Sequence, residues 1–407
     1  MLDRRSLYHS RSGGTNRKIE KQRNKELIFP FAMMRETVNV FAPNPLSVKM
    51  HKPLINLPGR WNKTLIMKLS VCFAIAVMLC ASTCISTFAK SKEPKPWRAL
   101  HLLNYNTDAD LELLGTSLET LAKRGINVIV LEVNYNFAFK SHPELSRGTN
   151  PITSAGARRL SELCKKFKIR LIPEFQSLGH QSWKAETFPL LTAYPKFDLT
   201  PGAFPNNEGI YCREWDPLNP EVWKVVFKLM DEIVDAFHAD ALHVGMDEVF
   251  LLGSEQSPST KGKDPALLFA NAVKEIHSHL VGKRHIEMLM WGDRLIDSKQ
   301  FGLGEWEASM NGTASAIDMI PKDIIICPWH YEQRDSYPSI PMFLEKGFRV
   351  LPAGWKNVEA TKALIEYSRL HASPRLLGHM FTTWGVEKDA LLDFPPLVEG
   401  LKLLGSE

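Results

Sequence analysis

Eight apolar runs of strand length recur along this 407-residue chain, six of them followed by helical spacing. No other property limits its architecture as much. The runs occupy residues 98–103, 126–133, 169–174, 241–246, 286–291, 324–327, 348–352 and 377–382. Between them, residues 111–123, 153–167, 221–237, 264–281, 341–346 and 357–370 carry apolar side chains at three- and four-residue spacing, as amphipathic helices do. Asn219-Pro220 marks one start, a capping side chain followed by proline at the first helical position. Strand–helix alternation implies an α/β fold with a parallel sheet. Eight units in just over 300 residues are what a closed (β/α)8, or TIM, barrel requires. A doubly wound open sheet is the competing arrangement, but no glycine-rich phosphate turn follows the first run.

The net charge of +5 is unevenly placed. Residues 1–66 hold 13 Lys/Arg against 4 Asp/Glu, whereas residues 67–407 hold 37 against 41. The body is therefore slightly acidic, which argues against a nucleic-acid surface on it. Met67-Lys68, an apolar stretch over 69–79 and small residues up to Ala89 follow the order of a secretory signal. The expected organisation is an upstream basic segment (1–66) outside the mature protein, a signal peptide or anchor (67–89), a linker (90–96) and a (β/α)8 domain (97–407). The chain is then exported, to the periplasm or the extracellular space. The apolar stretch is short for a membrane span, so attachment through it is the alternative to free release. Cys72, Cys80 and Cys84 lie in that segment. Cys164, Cys212 and Cys327 are too scattered for a disulfide framework or a metal-ligand set and are read as buried thiols, with at most one bridge.

A barrel of this kind keeps its chemistry at the C-terminal ends of its strands. The fourth run ends His243-Val244-Gly245-Met246-Asp247-Glu248. Adjacent strand residues point to opposite faces, so two neighbouring carboxylates at a frayed end can bracket one substrate. A solvated strand end or a helix N-cap is the plainer explanation of that pair taken alone. The third run ends Pro173-Glu174 and continues to Gly179-His180. The fifth gives Trp291-Gly292-Asp293, the sixth Trp329-His330-Tyr331, the seventh Trp355-Lys356-Asn357 and the eighth Trp384. A single tryptophan is more often core than ligand wall. Four at successive strand ends suit the flat C–H faces of a sugar, with carboxylates between them. The connection over 175–219, rich in proline and aromatic residues, is too long for a turn and is expected to build a wall of the site.

On these residues the chain resembles the catalytic barrel of family 20 glycoside hydrolases, the β-N-acetylhexosaminidases. His243 to Glu248 matches that family's His-x-Gly-x-Asp-Glu motif. Pro173-Glu174 with Gly179-His180 matches its Pro-Glu…Gly-His, and Trp291, Trp329 or Trp355, and Trp384 resemble its aromatic pocket. The resemblance implies a retaining reaction in which the substrate's own 2-acetamido group is the nucleophile. Glu248 would protonate the leaving oxygen, Asp247 would orient the acetamide and balance the oxazolinium charge, and His180 would orient the acid. Glu174, His243, Trp291, Asp293, Trp329, Tyr331, Trp355, Asn357 and Trp384 would bind the glycan, with no metal and no cofactor.

The departures lie on the sugar-recognition side. Where the family has an arginine after the first strand, this chain has Leu103-Asn104-Tyr105-Asn106. Asn134-Tyr135-Asn136 stands for the Asp pair after the second strand, one member of which partners the histidine. Trp355-Lys356-Asn357 stands for Tyr-x-Asp, and Val386 for a carboxylate. Two other readings stay open at this stage. One is a glycan-binding barrel without turnover. The other is a glycosidase for sugars lacking the acetamide, with Glu174 or Glu305 as nucleophile.

Overall fold

The structure is a computed structural model that describes residues 95–405. The upstream segment, the signal or anchor, most of the linker and Cys72, Cys80 and Cys84 lie outside those residues. All eight expected strands form. They are β1 (Trp97–Leu102), β2 (Val128–Glu132), β3 (Arg170–Ser177), β4 (Ala241–Gly245), β5 (Glu287–Trp291), β6 (Ile325–Cys327), β7 (Arg349–Val350, resumed as Ala353–Gly354) and β8 (Gly378–Thr382). Every neighbouring pair is parallel, from β1 on β2 around to β8 on β1.

The ring closes through a broken strand. The first piece of β7 pairs with β6 and the second with β8. Pro352, between them, has no N–H to give a ladder. Ala353 N donates to Pro328 O at 2.8 Å and Leu377 N to Val350 O at 2.9 Å, which stitches the gap. The run read as one strand over 348–352 thus holds only the first piece, and a second follows its proline.

Strand alternation sorts the barrel interior into layers. Near the base, Glu287 takes Arg170 at 2.7 Å and also pairs with Arg349, an ion cluster set inside the ring. Above it Ala99, Val128, Val130, Ile172, Ala241, Leu289, Ile325, Leu351 and Met380 fill the interior. The next inward positions, His101, Glu174, His243 and Trp291, are polar or aromatic, and they floor the mouth. A larger apolar cluster joins the outer face of the sheet to the helices.

The expected helices are present as Asp108–Lys123, Ser154–Lys166, Pro220–Phe237, Pro265–His277 (extended by a wider turn, Ser278–Lys283), Ser339–Glu345 and Val358–Leu370. Caps start several of them. Thr107 and Asp110 form a capping box, and Asn219 and Asp264 each accept a first-turn N–H with proline at the first position. The body cysteines Cys164, Cys212 and Cys327 are buried and unbridged. No helix among the described residues is long and apolar enough to cross a membrane.

Gly378 opens β8 at φ 146°, and a Cβ there would sit 2.0 Å from Trp97 O. Gly378→Ala is therefore expected to prise β8 from β1 and lower stability by more than about 2 kcal/mol. Urea unfolding followed by tryptophan fluorescence reads that loss.

Candidate active site

The register between β3 and β4 slips at the mouth, where Glu174 faces His243 but Ser177 faces Gly245. Three steps on β3 oppose two on β4, and such a bulge bends a strand and re-aims its side chains. Here it swings Gln176 across Gly245. A Cβ on Gly245 would fall 2.0 Å from Gln176 Oε1, so the glycine of the motif makes room for this crossing. Gln176 Nε2 then donates to Asp247 Oδ1 at 2.5 Å.

His180 is the hub. Its Nε2 lies 3.3 Å from Asp247 Oδ2 and 3.2 Å from Glu248 Oε2. One ring nitrogen thus faces both carboxylates, and each acid is 8% exposed, open only to the mouth. Burial opposes a charged imidazole. The Cys212 sulfur and the Asp247 carboxylate outweigh it and hold the His180 pKa well above its ordinary value. Burial also drives the Cys212 thiol upward, so near neutrality the charged partner is Asp247. Burial would in turn raise the Asp247 pKa, but His180 and Gln176 overcome that and keep this carboxyl below its ordinary range.

The turn carrying the pair is strained and tethered. Met246 and Glu248 have φ of 72° and 49°, Leu178 and His180 have 64° and 53°, and Asn104 and Asn134 follow β1 and β2 with 66° and 48°. Side chains favour such backbone little, and its concentration at one mouth fits a functional site. Two buried acids fasten the turn. Glu248 N donates to Asp293 Oδ2 at 2.9 Å, and Arg294 Nε to the same oxygen at 2.6 Å. Phe250 N and Leu251 N donate to Glu214 Oε1 at 2.7 and 2.8 Å. Desolvation pushes Glu214 up to about 7 and Asp293 to about 6, although Arg294 pulls each the other way. Sequence reasoning placed Asp293 among the glycan ligands. It is 1% exposed and holds the backbone of Glu248 instead, because its strand end turns inward beneath the acid.

Under the pair, Glu174 Oε2 lies 2.7 Å from His101 Nε2, and its Oε1 lies 3.5 Å from His243 Nδ1. Burial would raise the Glu174 pKa, yet His243 and His101 overturn that and depress it strongly. Trp291 packs edge-on against both histidines, at centroid distances of 5.2 and 4.6 Å.

The far side of the mouth is aromatic. Trp329 stacks on Tyr331 at 4.9 Å, and Tyr331 meets Trp355 at 5.3 Å. Trp384 Nε1 donates to the Tyr331 hydroxyl at 2.8 Å, and Trp355 Nε1 to Trp384 O at 2.9 Å. Tyr331, Trp355 and Trp384 keep part of their surface open, while Trp291 is buried. The four strand-end tryptophans do gather with Tyr331. Asn357 does not join them. It is exposed, and its Oδ1 accepts from Glu359 N and Ala360 N at 3.0 and 3.1 Å, so it caps the helix Val358–Leu370. Glu305, the other candidate nucleophile, is exposed on the loop after β5.

Several site residues escaped sequence reasoning. Gln176 and Glu214 are ordinary polar residues until the chain folds back. Burial, with the Glu248 carboxylate nearby, drives the Tyr211 phenol upward, and its ring lies 6.0 Å from His180. Trp183, Phe250 and Trp306 flank that ring at 5.7, 5.8 and 4.9 Å. Its place in the aromatic excursion over 175–219 was the one available hint. Among the described residues, His180, Asp247 and Glu248 alone approach one another as a cation would require.

The depressed Glu174 pKa has a sign. An acid whose folded pKa lies below its unfolded value adds stability above the unfolded pKa of about 4.3, and that stability fades as pH falls. Glu174→Gln is expected to cost about 3 kcal/mol at pH 7. The gap from the parent should close below pH 4 in urea unfolding run across pH.

Comparison with known proteins agrees with this geometry. Residues 119–355 match the family model for the glycosyl hydrolase family 20 catalytic domain. A β-hexosaminidase of Akkermansia muciniphila is 30% identical over 100 residues, which are 24% of this chain and 19% of that protein. The chain superposes on Flavobacterium johnsoniae chitobiase with a TM-score of 0.54 at 17% identity, covering 76% of this chain and 48% of that one. An exo-β-N-acetylglucosaminidase of Vibrio harveyi, solved with N-acetylglucosamine, gives 0.52 at 14% identity, covering 75% and 54%. Dispersin B gives 0.51 at 15%, covering 77% of this chain and 99% of that one. This chain therefore spans about half the length of the first two solved relatives and a fifth of the hexosaminidase. With the barrel, the paired carboxylates and a family match over more than half its length, the chain belongs to glycosyl hydrolase family 20.

Proposed function

We propose that this protein removes terminal N-acetylglucosamine or N-acetylgalactosamine from glycans by substrate-assisted hydrolysis. The observation that carries the reading is the His180 ring set against both Asp247 and Glu248. It makes two neighbouring carboxylates unequal. Asp247 also takes the Gln176 amide and is held ionised, which suits a group that must face developing positive charge.

In this reading Glu248 gives its proton to the glycosidic oxygen as the bond to the anomeric carbon breaks. The acetamido oxygen forms the new bond to that carbon, and Asp247 steadies the amide N–H and the oxazolinium charge. Water then attacks the same carbon as its bond to the acetamido oxygen breaks, which gives a proton back to Glu248, restores the acetamide and leaves the product with retained configuration. Glu174 offers no rival nucleophile, being buried and engaged by His101 and His243. The aromatic group around Tyr331 suits the apolar face of the sugar. We read the protein as exported, on the strength of the signal-like order from Met67 to Ala89, with attachment to a membrane through that stretch as the alternative.

A second reading, glycan binding without cleavage, is favoured by Asn134, which stands where the family resemblance expects an acid partner for the histidine and whose Oδ1 is taken by Gln176 N at 2.7 Å. The full chain should hydrolyse 4-nitrophenyl N-acetyl-β-glucosaminide, with N-acetylglucosamine-thiazoline as an inhibitor. Glu248→Gln should lower kcat about 100-fold or more. Gln176→Leu, which strips a hydrogen bond from a charged group, should lower kcat/KM by roughly 10- to 100-fold. Equal rates on the glucoside, or turnover untouched by Glu248→Gln, would overturn the proposal. Binding of N-acetylglucosamine with no cleavage would establish the second reading.

A further inference from the structure

His180 has two ring nitrogens, and only Nε2 meets the acids. Its Nδ1 lies 3.8 Å from the Sγ of Cys212, within hydrogen-bonding reach of sulfur. Among the described residues, the carboxylates that pair with His180 do so through Nε2, and the sulfur is the partner on the Nδ1 side. The sulfur is held in place. Gln181 N donates to Arg213 O at 2.9 Å, Arg213 N to Ser182 Oγ at 2.8 Å and Trp215 N to Leu178 O at 3.0 Å, which splints the Cys212 segment to the turn bearing His180. The Arg213 guanidinium, fully buried, pairs with Asp198 and Asn207 and anchors the splint in the excursion. Both sides of the Nδ1 contact are therefore fixed by backbone hydrogen bonds.

We propose that Cys212 is a positioning residue for His180, holding the ring in one pose against Asp247 and Glu248 whether or not the ring is protonated. A thiol can do this because it both accepts and donates. With the imidazolium, Nδ1–H donates to sulfur and Nε2–H faces the carboxylates. When the ring loses the Nδ1 proton, the S–H turns to donate to Nδ1 and Nε2–H stays where it was. An acceptor-only carboxylate would instead keep the proton on Nδ1, so that a ring losing its charge would lose it from Nε2, the nitrogen that faces Asp247 and Glu248. The other groups facing His180 are Asp247 and Glu248 from the turn after β4, and Tyr211 and Glu214 from the Cys212 segment. The inference rests on His180 belonging to the proposed hydrolytic site.

The test separates the two claims. Histidine-selective 15N labelling of the full chain, with His180 signals assigned by their loss in His180→Gln, reports ring tautomer and protonation by NMR without any need for turnover. Across a pH series, the parent ring should pass from imidazolium to the Nε2–H tautomer. Cys212→Asp should raise the His180 midpoint by about one pH unit, a tenfold gain in proton affinity. Cys212→Val should lower it, and Cys212→Ser, which keeps both donor and acceptor, should restore the parent value. In the hydrolysis assay the alkaline limb of kcat should move in step with these midpoints. Unchanged midpoints in folded Cys212→Asp and Cys212→Val would overturn the proposal, as would a parent ring that deprotonates to the Nδ1–H tautomer. Should Cys212→Asp fail to fold, the valine and serine variants decide it. A parent that titrates as expected but never cleaves would leave the role of Cys212 standing and defeat the hydrolase reading.

Discussion

The mouth of this barrel depends on one buried charge. Glu174 sits fully buried at the top of the interior, and ionised carboxylates survive there only when paired. His101 from β1 and His243 from β4 supply the pairing, so three strands are fixed relative to one another by a single carboxylate. Trp291 from β5 lies edge-on to both imidazoles and extends the layer to a fourth. The result is a rigid polar floor, from which Asp247 and Glu248 rise on the turn that follows His243.

That turn would not hold its shape unaided. Left-handed backbone at Met246 and Glu248 costs about 1–2 kcal/mol per residue, and a free strand end would relax from it. Asp293 on one side and Glu214 on the other accept the N–H groups that the turn presents, each from a dry position that penalises its charge. Gly179 passes 3.0 Å, as judged from where a Cβ would fall, from Asp247 O, so the loop after β3 presses on the same turn. Distortion at the acids is thus sustained by contacts from three other segments. The proposed chemistry needs two neighbouring carboxylates in unlike surroundings, and these contacts make them unlike.

Much of this was legible in the sequence, for definable reasons. The strands showed themselves because their residues are apolar on both faces, toward the interior and toward the helices, as in Ile129-Val130-Leu131. The motif residues were legible because histidine, glycine and carboxylates crowd the end of one strand. Asn357 misled because one residue fitted two signals, and the cap prevailed since its oxygen reaches the first-turn N–H groups of the helix it precedes. Asp293 misled because a carboxylate at a strand end can turn inward as readily as outward. Glu214, Cys212 and Tyr211 were hidden by distance along the chain. Glu214 meets Phe250 across 36 residues, and nothing local in the excursion announces that it folds back over the acids.

The ion cluster of Arg170, Glu287 and Arg349 has a consequence at the opposite end of the molecule. Together with the apolar layer above it, this plug makes the barrel interior a blind well, with traffic through the mouth alone. Whatever enters the mouth stops above Glu174, which His101 and His243 hold from below, and must leave by the way it came. Under the proposed hydrolysis, the departing alcohol and the incoming water share that one doorway in succession. Order of events is then imposed by plumbing as much as by reactivity.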